Sequence, residues 1–234
     1  HCFWGEPAGP IDGYNALGIE THVAYWYTKL DLPPGSRVVL RGKFPHARFM
    51  SLTSYGSFAG QRGAPIAGFS DYEIKPDAGS INPFLPGSRR TATNRSYTLT
   101  VSSDVDPGAG QRLPNTFYVG RAGETGATQT VELVLRVYRP DRNRDISGDA
   151  GLPEPTLVLA DGSRFAGTAA CAAANVTSSV YNISLEGIGV PVSTYLQLLN
   201  LPRPGPAGLL PALPTHPAVL SPTFVRYFNA PYSI

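Results

Sequence analysis

The feature that most constrains the fold is a series of short segments rich in Val, Leu, Tyr and Thr, each followed by Gly, Pro, Asp or Asn. The first set of residues suits a pleated, half-buried strand, and the second set forms turns. Strands are predicted at residues 21–30, 36–41, 47–55, 72–75, 97–102, 116–119, 131–138 and 156–159. Because no amphipathic helices separate these segments, they predict an all-β, antiparallel β-sandwich or jelly roll.

The composition limits the number of cores and the kinds of partner. In 234 residues, 42% are hydrophobic and only 15% are charged, below the roughly 25% that is usual. The net charge is +2, with basic and acidic residues interspersed, which argues against nucleic-acid binding. No run of about 18 apolar residues predicts a transmembrane segment. The chain is therefore expected to bury one core beneath a polar surface of low charge.

The last third of the chain differs from the rest. Residues 1–165 are predicted to form the β-sandwich domain, and residues 166–234 to form short helices and a Pro-rich extended tail. The helices are expected at residues 165–174, which are rich in Ala, and at residues 192–199. Residues 202–222 carry prolines too often for regular structure but also contain Leu and Val. We expect this tail to pack on its own domain or on a protein partner.

Cys2 and Cys171 are the only cysteines. A chain terminus frays unless something ties it down, so the position of Cys2 near the start of the sequence favours a disulfide with Cys171. The alternative is a pair of buried free thiols. Because disulfides persist in oxidising compartments, the bridge predicts an extracytoplasmic protein, secreted, periplasmic or in the cell envelope.

Several segments together form a recognisable pattern. They are Leu32-Pro33-Pro34-Gly35, Phe44-Pro45-His46-Ala47-Arg48-Phe49-Met50-Ser51, Pro76-Asp77-Ala78-Gly79-Ser80-Ile81-Asn82-Pro83-Phe84, Arg95-Ser96-Tyr97, Arg136-Val137-Tyr138-Arg139-Pro140-Asp141 and Gly151-Leu152-Pro153-Glu154-Pro155. In these segments the chain resembles a family of uncharacterised exported bacterial proteins. The order of the segments also resembles a jelly-roll domain of unknown function that follows a second uncharacterised domain in other bacterial proteins.

The resemblance carries expectations about export and pairing but none about activity. It implies an exported protein and supports a disulfide between Cys2, near the start, and Cys171, in an Ala-rich segment. In many members a second related β-domain follows the region that corresponds to residues 226–229. No reaction is implied for any residue.

The candidate ligand-binding residues are His46, Arg48, Arg41 and Asp71. His46 and Arg48 lie where a predicted strand begins, and Arg41 comes shortly before them. Because arginine presents a planar fork of donors, this set suits a pocket for a carboxylate or a sugar. The favoured alternative is that Arg48, like Arg136, is structural and holds loops through carbonyl and carboxylate contacts.

Oxygen-bearing side chains occupy every second position of residues 141–149, as they do in a calcium loop. The candidate ligands are Asp141, Asn143, Asp145 and Asp149, with Ser147 between the last two. The pattern departs from an EF-hand, whose loop has Gly at its sixth position and Glu at its twelfth. The favoured alternative is a polar turn in which Asp and Asn cap the backbone. Calcium is the cofactor that this pattern suggests.

Two hypotheses about function follow. No Gly-x-Ser-x-Gly motif is present and neither cysteine has a catalytic neighbourhood, so no catalytic residue is predicted. The first hypothesis is a non-catalytic accessory or binding module, a subunit of a cell-envelope assembly that contacts a protein partner through its Pro-rich tail. The second is a carbohydrate-binding or carbohydrate-active extracellular enzyme of jelly-roll type. A pocket of convergent polar groups favours the second, and an exposed apolar patch favours the first.

Overall fold

The structure is a computed structural model that describes residues 2–5, 7, 22–58, 61–124 and 126–177. The regular structure in these residues is mostly β-strand, and the expectation of an all-β, mainly antiparallel fold is confirmed. The strands, in chain order, are β1 (Val23–Leu32), β2 (Arg37–Lys43), β3 (Ala47–Phe58), β4 (Gln61–Ser70), β5 (Ser96–Val105), β6 (Thr116–Gly120), β7 (Gln129–Pro140), β8 (Glu154–Val158) and β9 (Arg164–Ala166), followed by the helix α1 (Gly167–Ala173).

The strands form two sheets. The four-stranded sheet has the order β1-β7-β3-β4, and every neighbouring pair in it is antiparallel. The five-stranded sheet has the order β6-β5-β2-β8-β9 and is antiparallel except for the pair of β5 and β6. Both sheets mix strands from early and late in the sequence, so most of the pairing is long-range.

Alternate residues of both sheets point into one hydrophobic core. Side chains in successive strands alternate between faces, and the buried set follows that period. The four-stranded sheet supplies Trp26, Leu52 and Leu133, and the five-stranded sheet supplies Leu40 and Leu99. Each fully buried side chain of this size contributes roughly 1.5–3 kcal/mol to folding. The two sheets therefore form a β-sandwich-like unit around a shared core.

A disulfide between Cys2 and Cys171 confirms the predicted pairing, with the two Cα atoms 6.2 Å apart. The neighbouring residues strengthen this connection. The indole N–H of Trp4 donates to the carbonyl of Pro153 at 2.8 Å, and the N–H of Gly5 donates to the carbonyl of Tyr27 at 3.0 Å. The start of the chain is thereby fixed to both the four-stranded sheet and the α1 region.

The sequence-based predictions were wrong at one element and incomplete at two others. Residues 72–75 were expected to form a strand, but Asp71–Glu73 form a single 3₁₀ turn. In this turn the carboxylate of Asp71 accepts the N–H of Tyr72, and Glu73 accepts the N–H of Ser70. Strands β4 and β9 were not predicted.

The Ala-rich segment contains α1, whose buried residues are Ala170 and Cys171. The second expected helix, at residues 192–199, and the Pro-rich tail lie outside the described residues. The domain boundary expected after residue 165 stays a prediction. No helix within the described ranges is long and apolar enough to span a membrane.

Candidate functional site

Three loops meet where β3 begins and β7 ends. We call residues 44–47, 89–95 and 141–149 the arginine corner. The N–H of His46 donates to the carbonyl of Gly148 at 2.9 Å, and the N–H of Asp141 donates to the carbonyl of His46 at 2.8 Å. The backbone of His46 is thus held between the two ends of residues 141–149. The corner contains His46 and five arginines, which are Arg89, Arg90, Arg95, Arg142 and Arg144.

Arg95 is a buried cation in this corner, with only 4% of its surface exposed. Its Nε donates to the carbonyl of Ala92 at 2.8 Å, its Nη1 to the carbonyl of Phe44 at 3.2 Å, and its Nη2 to the carbonyl of Arg90. Burial, followed by the charges of Arg144 and Arg90, lowers the pKa of Arg95. Arg95 therefore fixes the turn of residues 89–95 against the segment that leads into β3.

Arg90 lies at the surface of the same corner. Its Nη2 donates to the carbonyl of Ala47 at 2.8 Å and lies 3.8 Å from Oδ1 of Asp141. Its guanidinium also lies over the ring of Phe84, 5.8 Å from the ring centroid. About half of the side chain stays exposed, so Arg90 both anchors β3 and presents positive charge to solvent.

The imidazole of His46 lies among these positive charges. Burial is the main cause that lowers the pKa of His46, and the charges of Arg95 and Arg144 lower it further. These effects favour the neutral form of the imidazole. Its backbone packs so closely on Gly148 that a Cβ there would lie 2.8 Å from the carbonyl oxygen of His46. Gly148 also has a φ of +64°. The close approach and the positive φ therefore both favour glycine at this position.

The acidic side chains of residues 141–149 cap the loop's own backbone. Oδ1 of Asp145 accepts hydrogen bonds from the N–H and the hydroxyl of Ser147 at 2.8 and 2.7 Å and from the N–H of Asp149 at 2.8 Å. Oδ1 of Asp149 accepts the N–H of Asp145 at 3.1 Å, and its Oδ2 accepts a hydrogen bond from Arg144. These bonds, led by that from the Asp145 N–H, lower the pKa of Asp149.

This geometry matches the alternative of a polar capping turn. In the part of the chain that the structure describes, no three His, Cys, Asp or Glu side chains are arranged to hold a metal ion. Oδ1 of Asp145 and Oδ1 of Asp149 already accept backbone N–H groups, and Asn143 takes a positive φ of 64° within the turn. Calcium binding by Asp141, Asn143, Asp145 and Asp149 stays a prediction.

Asp71 is buried, with only 5% of its surface exposed. Its Oδ2 accepts the N–H of Met50 at 3.0 Å and its Oδ1 accepts the N–H of Tyr72 at 2.7 Å. Burial raises the pKa of Asp71 even though these two hydrogen bonds favour the carboxylate. The side chain amide of Asn82 donates to the carbonyls of Asp71 and Ile74 at 2.7 and 2.9 Å. Asp71 and Asn82 thus hold the 3₁₀ turn to β3.

The four predicted ligand residues do not converge on one pocket. Arg41 is exposed in β2 of the five-stranded sheet, where it lies opposite Thr98 and Glu154. Arg48 is exposed in β3 of the other sheet, and the carboxylate of Asp71 is occupied by backbone. Only His46 lies inside the arginine corner.

Arg136, the other arginine given a structural interpretation, lies on the four-stranded sheet. It donates to Thr53 Oγ1 at 2.9 Å and to the Tyr55 hydroxyl at 2.8 Å. Its guanidinium also lies 5.4 Å from the ring centroid of Tyr25. Arg136 is structural as expected, but hydroxyl groups and a ring take the place of the expected carbonyls and carboxylates.

The sequence analysis did not single out three large apolar side chains that are exposed. Phe49, Tyr72 and Leu85 expose 37%, 61% and 40% of their surface. All three belong to segments tied together through Asp71 and Asn82. In the sequence, these large apolar residues lie at or next to a turn. That position alone does not show whether an apolar residue is buried in the core or exposed.

No protein-family profile matches the chain, and no curated protein matches it. Among the solved structures that are similar to part of it are two bacterial proteins. The VPA0106 protein from Vibrio parahaemolyticus is 20% identical, with 59% of this chain and 31% of that chain covered and a TM-score of 0.39. An uncharacterised protein from Burkholderia cenocepacia is 11% identical, with 62% and 31% covered and a TM-score of 0.36. The aligned regions span less than a third of each of those chains.

Proposed function

We propose that the protein is a non-catalytic binding module that works outside the cytoplasm as an accessory subunit of a cell-envelope assembly. The observation that carries this proposal is that the polar side chains suited to chemistry are committed to the fold. Asp71 accepts two backbone N–H groups, Arg95 donates to three carbonyls, and Asp145 caps its own loop. A catalytic acid or base instead needs to reach the proton that it transfers.

Two further elements of the proposal rest on other features. Export is supported by the Cys2–Cys171 disulfide, because such bridges persist in oxidising compartments. The jelly-roll form of the sandwich and membership of the family of exported proteins are part of the same proposal. So is contact between the Pro-rich tail and a protein partner.

A second candidate function is recognition of an acidic carbohydrate. The observation that favours it is the pair of half-exposed guanidiniums, Arg90 and Arg144, in the same corner as His46, whose pKa is lowered by burial and by positive charges. Arginine forks match carboxylate geometry, so a uronic acid suits this surface chemically. This alternative requires the ligand to displace Asp141 and Asp149 from their ion pairs with these arginines, which makes it the weaker of the two candidates.

Two measurements separate the two functions. One is whether the protein is recovered with a protein partner, and the other is whether it binds or cleaves a polysaccharide. A tagged copy expressed in its source bacterium is cross-linked and purified from the extracytoplasmic fraction, and the same preparation is applied to a glycan array and to envelope polysaccharide. Recovery of one protein in a fixed stoichiometric ratio supports the binding module. Release of reducing sugar, or array binding confined to acidic glycans, contradicts it and supports the carbohydrate function.

A further inference from the structure

One side of β1 is a sheet edge that residues 174–177 cover. β1 is the first strand in the order of the four-stranded sheet, and its other side pairs with β7. The N–H of Lys29 donates to the carbonyl of Thr177 at 2.9 Å, and the N–H of Thr177 donates to the carbonyl of Lys29 at 2.8 Å. The N–H of Asp31 donates to the carbonyl of Ala174 at 2.8 Å. We call residues 174–177 the edge cover.

The disulfide joins two segments that both bond to this edge. Gly5, three residues after Cys2, donates its N–H to the carbonyl of Tyr27 at 3.0 Å. On the other side of the bridge, the carbonyl of Cys171 accepts the N–H of Val176 at 2.9 Å. This bond ties the end of α1 directly to the edge cover. The bridge is therefore connected to the β1 edge through short lengths of chain on both sides.

The two segments differ in what else anchors them. Phe3 and Trp4 are buried, and the indole N–H of Trp4 is hydrogen-bonded to a carbonyl, so residues 2–5 have anchors of their own. The helix α1 has only seven residues, and its buried residues are Ala170 and Cys171. Helices shorter than about 12 residues are marginal without tertiary support, and alanine buries little surface. The edge cover therefore depends on the bridge more than residues 2–5 do.

We propose that the Cys2–Cys171 disulfide is a redox switch that keeps the β1 edge covered. When a dithiol reduces the bridge, the edge cover leaves β1 and exposes the backbone groups of Lys29 and Asp31. An uncovered strand edge is a template for pairing with another strand, so the bridge restricts such pairing to reducing conditions. The switch is a property of the fold and does not depend on what the protein binds.

The reduction begins at the more exposed sulfur. Cys171 is buried, with 8% of its surface exposed, whereas Cys2 is only partly buried. A thiolate of the dithiol attacks Sγ of Cys2, the S–S bond breaks, and Sγ of Cys171 leaves as a thiolate that takes up a proton. The second thiolate of the dithiol attacks the mixed disulfide and releases Cys2, which is protonated in turn. Two electrons and two protons pass to the protein, and the dithiol becomes a disulfide.

Amide hydrogen exchange followed by NMR measures the opening of this edge residue by residue in the full chain. Neighbouring residues of a strand direct their backbone groups to opposite sides, so the N–H groups of Lys29 and Asp31 face the edge cover and those of Thr28 and Leu30 face β7. In the oxidised chain we expect all four amides to exchange at least about a hundredfold more slowly than in an unstructured peptide. After reduction with dithiothreitol, Lys29 and Asp31 are expected to exchange within about tenfold of the unstructured rate, while Thr28 and Leu30 stay at least about a hundredfold protected.

Variants separate the switch from other effects of the reductant. The double variant Cys2→Ser/Cys171→Ser, without dithiothreitol, is expected to reproduce the exchange pattern of the reduced chain. Thr177→Pro keeps the bridge but removes the N–H that the carbonyl of Lys29 accepts, and it is expected to accelerate exchange of Lys29 at least about tenfold. Thr177→Ala is the matched control, because it keeps this N–H and changes only an exposed side chain, and it is expected to leave the rate within about twofold.

Three results overturn the proposal. Protection of Lys29 and Asp31 that survives reduction would show that the edge stays covered without the bridge. Loss of protection at Thr28 and Leu30 as well would show that the bridge holds the whole fold and not the edge in particular. Equal exchange of Lys29 in Thr177→Pro and Thr177→Ala would show that residues 174–177 do not protect this edge.

Discussion

The carboxylate of Asp71 accepts the backbone N–H of Met50 at 3.0 Å across 21 residues of sequence. This bond joins the 3₁₀ turn after β4 to the first part of the neighbouring strand β3. A buried carboxylate at this position is a structural acceptor, and the tight turn that it holds presents Tyr72 to solvent. The same relationship explains both why Asp71 is unsuited to bind a ligand and why the next residue, Tyr72, is exposed.

Replacement of this acceptor is expected to weaken the fold. In Asp71→Asn one carboxylate oxygen becomes an NH₂ group that faces a backbone N–H, so one buried donor loses its acceptor. We expect the free energy of unfolding to fall by about 1–3 kcal/mol. Urea denaturation checks this value, with Asp77→Asn as the matched control, because Asp77 is only half-buried and its side chain contacts Thr98 at 3.2 Å. Equal losses in the two variants would contradict the structural role of Asp71.

The pH dependence of stability is expected to differ in sign between two aspartates. The pKa of Asp149 is lowered by the Asp145 N–H and by Arg144, so its contribution is present above the ordinary value of 3.8 and is lost as the pH falls through its folded pKa. The stability difference between the unaltered chain and Asp149→Asn therefore shrinks below about pH 4.

Asp71 behaves in the opposite way because burial raises its pKa. Asp71 takes up a proton more readily in the folded protein than in the unfolded chain. Its contribution to the free energy of unfolding is therefore most favourable below the unfolded pKa and is lost as the pH rises through the folded pKa. The stability advantage of the unaltered chain over Asp71→Asn therefore grows on acidification. Chemical denaturation at a series of pH values measures both differences, and parallel slopes for the two variants would refute the assigned environments.

Gly148 is expected to tolerate no side chain. A Cβ at this position would lie 2.8 and 2.9 Å from the backbone of His46, in addition to the cost of a positive φ. Gly151 has a similar φ of +67° with nothing within 4 Å, so Gly151→Ala carries only the conformational cost of about 1–2 kcal/mol. We expect Gly148→Ala to cost at least about 2 kcal/mol more in thermal or urea unfolding, as overpacking does. Similar melting temperatures for the two variants would show that the two loops do not pack as described.

Replacement of Arg95 by lysine, the other residue with a permanent positive charge at neutral pH, is expected to destabilise the fold. Lysine has a single ammonium group and cannot reach the carbonyls of Phe44, Arg90 and Ala92 together. Arg95→Lys is therefore expected to lower the free energy of unfolding by at least about 2 kcal/mol, because buried carbonyls are left unpaired. Arg89→Lys, at an exposed position, is the control and is expected to be neutral within about 0.5 kcal/mol. If Arg95→Lys leaves the free energy of unfolding unchanged, the structural role assigned to Arg95 is wrong.

The strands that carry strong local signals were predictable from the sequence. Residues 131–138 lie within β7, which pairs on both sides and buries residues on both faces, so its high content of Val and Leu matches its position. Strand β4 contains Gly63, Pro65 and Gly68, which weaken any strand signal. It forms because β3 offers an edge to pair with, and such tertiary pairing overrides local preference.

The candidate site was predictable only where its contacts are local. Capping within residues 141–149 was anticipated because Asp145 bonds to residues two and four positions away. Arg95 reaches Phe44 across 51 residues, and no local pattern encodes that contact. The prediction that the four ligand residues share one pocket was based on their closeness in the sequence. The sequence does not show that β2 and β3 belong to different sheets.

The most direct test of the binding-module account is the intact mass of natively purified protein, measured under native and denaturing conditions with and without reductant. The account predicts a chain about 2 Da lighter before reduction, because the Cys2–Cys171 bridge lacks two hydrogens, with a protein partner retained under native conditions. A lone chain that carries a metal ion or a sugar, or one whose mass does not change on reduction, would contradict it.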